Sequence, residues 1–210
     1  IAVWWLASQS VCPPAERSAP TRIWWLVNRR LLVDATAEHA QRLAALLDDP
    51  TVLADSGSIS EDAGIVSAVA DRLRSLSADP GARPLEVCRL RGGVATSRPS
   101  DPSQPAVILS TLPMYGSRLL FRGYGTSRTM RPIDASHAGT DSLVLIDEAH
   151  LASHLVALFE PLNDCDRSEI EVLPRARSRP IVVSLTATGD SSNDDRFDLD
   201  DSDRAHPIVQ

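Results

Sequence analysis

Leu143-Val144-Leu145-Ile146-Asp147-Glu148-Ala149-His150 is an unbroken apolar run that ends in two carboxylates. Four apolar residues in a row, bounded by polar ones, fit a strand buried on both faces. The same design recurs downstream, where Ile181-Val182-Val183 runs into Ser184-Leu185-Thr186-Ala187-Thr188. From Asp147 to Ser184 is 37 residues, room for a helix and its turns between neighbouring parallel strands. In an open α/β sheet the carboxyl ends of the strands are where ligands bind. An Asp-Glu pair there suits nucleotide hydrolysis. Asp147 would hold magnesium, through water, and Glu148 would orient or deprotonate the attacking water. This is the layout of a superfamily 2 helicase or translocase motor, with ATP and magnesium as its cofactors.

Working outward, three more apolar runs end in small or basic polar residues. Ile23-Trp24-Trp25-Leu26-Val27 leads into Asn28-Arg29-Arg30, residues 84–90 into Arg91-Gly92-Gly93, and residues 106–109 into Ser110-Thr111. Helical patterns separate them. Residues 1–10 read as an apolar helix ended by Pro13-Pro14. Residues 34–48 carry a stripe of Ala37, Ala40, Leu43, Ala44 and Leu47. Ser58-Ile59-Ser60-Glu61 fits a capping box, opening a helix whose Ile65, Val66, Val69, Leu73 and Leu76 share one face. Another helix is expected at 151–160. The Ser/Pro-rich stretch 95–105 reads as an exposed loop. Strands alternating with helices predict a doubly wound, mainly parallel sheet flanked by helices. Its strands are expected at 23–27, 85–90, 106–109, 143–146 and 181–184. Residues 1–189 are read as one domain and 190–210 as an acidic linker.

Composition bounds the function. With 210 residues and 43% apolar content the chain can bury a normal core. No apolar run approaches the roughly 18 residues of a membrane span, and no secretory leader is evident. Cys12, Cys88 and Cys165 are odd in number and far apart, which fits buried thiols in a reducing cytoplasm. The net charge of −7 is unevenly spread: residues 190–203 hold seven Asp and one Arg. Residues 111–133 hold Arg118, Arg122, Arg128 and Arg131 and no acid. Nucleic-acid surfaces are judged by such patches rather than by total charge. All 21 basic residues are arginine, so a phosphate loop of the form G-x-x-x-x-G-K-[ST] is not in this sequence. The apolar helix at Ile1 looks already under way. The first strand and its phosphate loop are therefore expected upstream, and the chain is expected to be a fragment.

The strand ends also point to a nucleic-acid track. Arg29 and Arg30 can hold phosphates, and Asn28 can hydrogen-bond to them. Gly92 and Gly93 allow backbone N–H groups close approach, and Ser110 and Thr111 can donate hydroxyls. Arg118 and Arg122 are one helical turn apart and could point the same way; Tyr124, between two glycines, could stack on a base. Blander readings stand beside these. Asp147 could only cap a helix, Arg29 and Arg30 could be a solvated helix start, and the basic helix could pack on acidic neighbours. His150 and His154 could form a zinc pair, but a third ligand at convincing spacing is missing.

Several of these segments together resemble the CRISPR-associated helicase–nuclease of type I systems, nearest its type I-G (formerly I-U) branch. They are Val27-Asn28-Arg29-Arg30-Leu31-Leu32-Val33-Asp34, Arg89-Leu90-Arg91-Gly92-Gly93, residues 116–125, Met130-Arg131-Pro132-Ile133 and Leu145-Ile146-Asp147-Glu148-Ala149-His150-Leu151. The stretch 116–125 is the most specific. The resemblance implies the first RecA-like lobe of an ATP-dependent motor that moves along single-stranded DNA delivered by an RNA-guided surveillance complex. It implies the magnesium and water roles for Asp147 and Glu148, and coupling through His150, Ser184 and Thr186. Asn28, Arg29, Arg30, Gly92, Gly93, Ser110 and Thr111 would form the DNA track. A second RecA-like lobe and a nuclease domain belong to the family and are not in this sequence. Where Asp-Gln is expected after Ser110-Thr111-Leu112, this chain has Pro113-Met114. A DEAH-box helicase acting on RNA or in DNA repair, and a non-catalytic nucleic-acid-binding module, are the alternative readings.

Overall fold

The computed structural model of the chain describes residues 2–13, 16–17, 19–51, 60–92, 98–99, 101–164 and 179–186. Its strands are β1 (Arg22–Val27), β2 (Glu86–Leu90), β3 (Ala106–Thr111), β4 (Ser142–Asp147) and β5 (Ile181–Leu185). They form one sheet in the order β2-β3-β1-β4-β5, and every neighbouring pair is parallel. The five apolar runs predicted as strands are these five strands. β3 is buried at all six positions and β4 at its first five, which is why both read as continuous apolar runs rather than as an alternation.

Side chains alternate across the sheet, and the alternation builds two cores. Ile23, Val27, Val107, Leu109, Leu143 and Leu145 face one side, packed against Trp5, Val33, Ala37, Leu47, Ala70 and Leu73. Those partners come from α1 (Ala2–Val11), α2 (Arg30–Asp48) and α3 (Ser60–Arg74). Trp24, Leu26, Ile108, Val144 and Ile146 face the other side, against Met114, Tyr115, Ala138 and Phe159. These come from α4 (Leu112–Leu119), α5 (Arg131–Gly139) and α6 (Ser153–Asp164). The chain is thus an α/β structure with an all-parallel sheet between two helical layers, the arrangement of a RecA-like lobe without its first strand. Each large side chain buried this way stabilises the fold by about 1.5–3 kcal/mol.

The differences from expectation have local causes. α2 starts at Arg30, not 34, because nothing between them opposes a helix. The basic helix expected through Arg118 and Arg122 is instead α4, which ends at Leu119, and α5 is a helix the sequence reading lacks. Each carries a proline in its first turn, a position that needs no N–H donor. Both are fixed by packing: Tyr115 meets Trp24 edge-on, with ring centroids 5.0 Å apart. The Tyr115 hydroxyl donates to Ala138 O at 3.0 Å, and Trp24 Nε1 donates to His137 O at 2.9 Å. The helix after Asp147 begins at Ser153, behind a short 3-10 turn, Ala149–Leu151. Ser58 and Ile59 of the capping box, Cys165 and the acidic segment from 190 lie outside the described residues. Among the described residues no helix is long and apolar enough to cross a membrane.

Candidate functional site

Because all five strands run the same way, their carboxyl ends form one rim. Its β4–β5 half carries the acidic motif. Asp147 closes β4 opposite Leu185, and Ile146 pairs with Ser184. The chain then turns through Glu148 at φ 53 and ψ 49, a left-handed conformation that costs a non-glycine residue roughly 1–2 kcal/mol. That turn sends Ala149 back into the core and leaves the Glu148 side chain 50% exposed. The Leu151 N–H closes the 3-10 turn on Glu148 O at 2.8 Å. His150 Nδ1 stands 3.4 Å from Glu148 Oε2 and 3.3 Å from Thr186 Oγ1. One imidazole therefore links the motif ending β4 to the hydroxyl following β5. Ser184 and Thr186 are exposed, and Asp147 is half-buried.

The donor set fits one metal better than another. Asp147 and Glu148 offer hard carboxylate oxygens at a strand end, which suits magnesium held by one or two carboxylates and water. A zinc site needs at least three protein ligands. His154 is exposed, and among the described residues no group of three or more His, Cys, Asp or Glu side chains could hold a metal.

The β1–β3 half of the rim is an open cleft of about 430 Å³. Asn28 and Arg30 after β1, Gly92 after β2 and Thr111 at the end of β3 line it, with Pro113, Met114 and Ser117 of α4 and with Tyr124. Asp34 holds the exit of β2 through Arg91, at 2.9 Å, and Arg89, at 3.8 Å. A Cβ at Gly92 would stand 3.2 Å from Arg30 Nη2, so the glycine leaves the guanidinium room against the turn. Arg29 and Arg122 are exposed.

Two expected track residues do not reach this surface. Ser110 is wholly buried, and its hydroxyl donates to Thr111 O at 3.1 Å. Arg118 is only 3% exposed. Its Nε lies 3.8 Å from Asp134 Oδ2, and its Nη1 donates to Met114 O at 3.4 Å. Burial pushes the Arg118 guanidinium down from its ordinary value, and Asp134 opposes that shift. Arg118 and Arg122 do not share a helix face, since α4 stops at Leu119 and Phe121 takes φ 58. Gly93 lies outside the described residues. Sequence reasoning missed Pro113, Met114 and Ser117 as lining residues. The periodicity of so short a segment does not tell a cleft wall from a core.

Comparison with protein-family models, curated proteins and solved structures finds no match to this chain.

Proposed function

We propose that the chain is part of an ATP-dependent superfamily 2 DNA helicase or translocase, its first RecA-like lobe, working in the cytoplasm as a CRISPR interference motor. The observation that carries this reading is the His150 imidazole between Glu148 and Thr186. A hydrolytic carboxylate linked to the neighbouring strand end is what coupling hydrolysis to movement requires.

In this reading Asp147 holds magnesium through water and Glu148 orients the attacking water. ATP with magnesium supplies the phosphoryl group and the charge that neutralises it. Thr186 senses the site through His150, and Ser184 shares the coupling role from the end of β5, beside Ile146. Arg29, Arg30 and Arg122 hold the phosphates of single-stranded DNA along the other half of the rim. The reading needs a phosphate-binding loop and a second lobe from outside these residues, and a nuclease and an RNA-guided complex as partners. One observation favours a second reading, a non-catalytic nucleic-acid-binding module: the open cleft lies on the β1–β3 half, away from Asp147 and Glu148.

The test is Glu148→Gln in the full-length protein. The amide keeps the shape and removes the base, so ATP binding should survive while turnover falls about 100-fold or more. Near-normal turnover would sink the hydrolytic role. Absence of magnesium-dependent ATP binding by the parent protein would leave the binding-module reading in its place.

A further inference from the structure

Tyr124 is 71% exposed and Phe121 61% exposed in the turn between α4 and α5. Two large aromatic side chains are thus exposed within one short turn. The turn is built rather than loose. Arg122 N–H and Gly123 N–H donate to Ser117 O at 2.8 and 2.9 Å, and Tyr124 N–H donates to Ser117 Oγ at 2.9 Å. Gly123 sits at φ 56, and a Cβ there would come within 2.5 Å of Arg131 Cγ. Only glycine lets the chain pass Arg131 and bring Tyr124 to the cleft.

The cleft wall beside Tyr124 is apolar, made by Pro113 and Met114, while Asn28 and Arg30 stand among the other lining residues. Its volume of about 430 Å³ falls within the roughly 300–1,000 Å³ of ordinary ligand sites. Arg30 is the charged side chain of its lining. Arg29, Arg30, Arg122 and Arg128 are exposed, and among the described residues none forms an ion pair. An aromatic face and a thioether beside the Arg30 guanidinium match a flat, polarisable ring attached to phosphate.

We propose that Tyr124 is a stacking platform that takes one base of a single-stranded nucleic acid into this cleft. Resting on the nucleic-acid reading above, the inference names what that site recognises beyond phosphate. The base lies on the exposed ring of Tyr124 over the apolar floor of Pro113 and Met114, and Arg30 holds the adjoining phosphate. Asn28, with both a donor and an acceptor, meets the base edge. Ser117 and Gly123 are positioning residues that hold the ring in place.

The test measures binding of the full chain to an oligothymidylate of about twelve nucleotides and to an abasic strand of equal length, across a salt series. The unmodified chain should prefer the strand with bases by about tenfold or more. Tyr124→Ala should lose most of that preference without changing the salt slope, because no phosphate contact is removed. Tyr124→Trp should keep it. Equal binding of oligothymidylate by Tyr124→Ala and the unmodified chain, with salt dependence intact, would overturn the stacking role and leave the nucleic-acid reading standing. Failure of both strands to bind the unmodified chain would overturn the two together.

Discussion

The rim of the sheet and the charge cluster behind it use the same side chains in opposite ways. In the cluster, Arg22 lies 3.9 Å from Asp141, and Asp134 lies 3.7 Å from Arg98 and 3.8 Å from Arg118. Arg22 also donates to Pro102 O at 2.7 Å and to Thr140 O at 3.0 Å. On the rim, Arg29, Arg30 and Arg122 are open to solvent. Arg118 and Arg122 are four residues apart and end in different regions. What separates them is an acid within reach: a buried guanidinium without a partner is costly, an exposed one is not. Changes in the cluster should therefore move stability, and changes on the rim should move binding.

The largest expected effect is in the cluster. Asp134→Ala leaves Arg118 buried and unpaired, and should destabilise the fold by about 3–5 kcal/mol, read by thermal or urea unfolding. An unchanged midpoint would break the comparison.

His137 provides the next effect. Burial, then Arg22 and Arg98, push its imidazole down to about 4 from an ordinary 6.5, and Asp134 only partly opposes them. The folded state therefore favours neutral His137. That contribution is complete above pH 6.5 and is lost as pH falls toward 4, amounting to ~3 kcal/mol at the acid end. His137→Gln should flatten the stability profile over this window. Asp101 is distinct: although burial raises it, hydrogen bonds from Ser103, Ser77 and Ala78 hold its carboxyl well below the ordinary 3.8. Its contribution is present above pH 3.8 and falls away below that.

On the rim, Arg30→Ala should weaken single-strand binding severalfold at every sequence and lower the salt slope by about one phosphate. Its unfolding free energy should change by no more than about 0.5 kcal/mol. One change on the rim has the opposite sign. Glu148→Gly relieves the left-handed backbone and should raise stability by about 0.5–1 kcal/mol, read by thermal or urea unfolding. A lower midpoint would mean that the Glu148 side chain supports the fold.

All five strands were legible because burial on both faces leaves an unbroken apolar run, as in 143–146. Their spatial order was not, since runs such as 23–27 and 106–109 carry no mark of which neighbour each will choose. Helices α4 and α5 are hard to read because each is short and α4 carries Gly116; packing holds them, through the Tyr115–Trp24 contact and the Tyr115–Ala138 hydrogen bond. At the site, Asn28, Arg30, Gly92 and Thr111 could be found because strand ends are visible in sequence. Ser110 and Arg118 were misplaced because one residue decides whether a strand-end hydroxyl points inward, and Asp134 lies sixteen positions beyond Arg118.

The sheet's two outer strands guard their margins unequally. β2 carries Glu86 and Arg89, charges that resist the addition of another strand. β5, Ile-Val-Val-Ser-Leu, carries none, and among the described residues it pairs with β4 alone. Among the described residues its outer row of N–H and C=O groups has no strand beside it, the kind of edge that accepts a further strand. The β5 margin is therefore where a further strand, of this chain or of another, can extend the sheet.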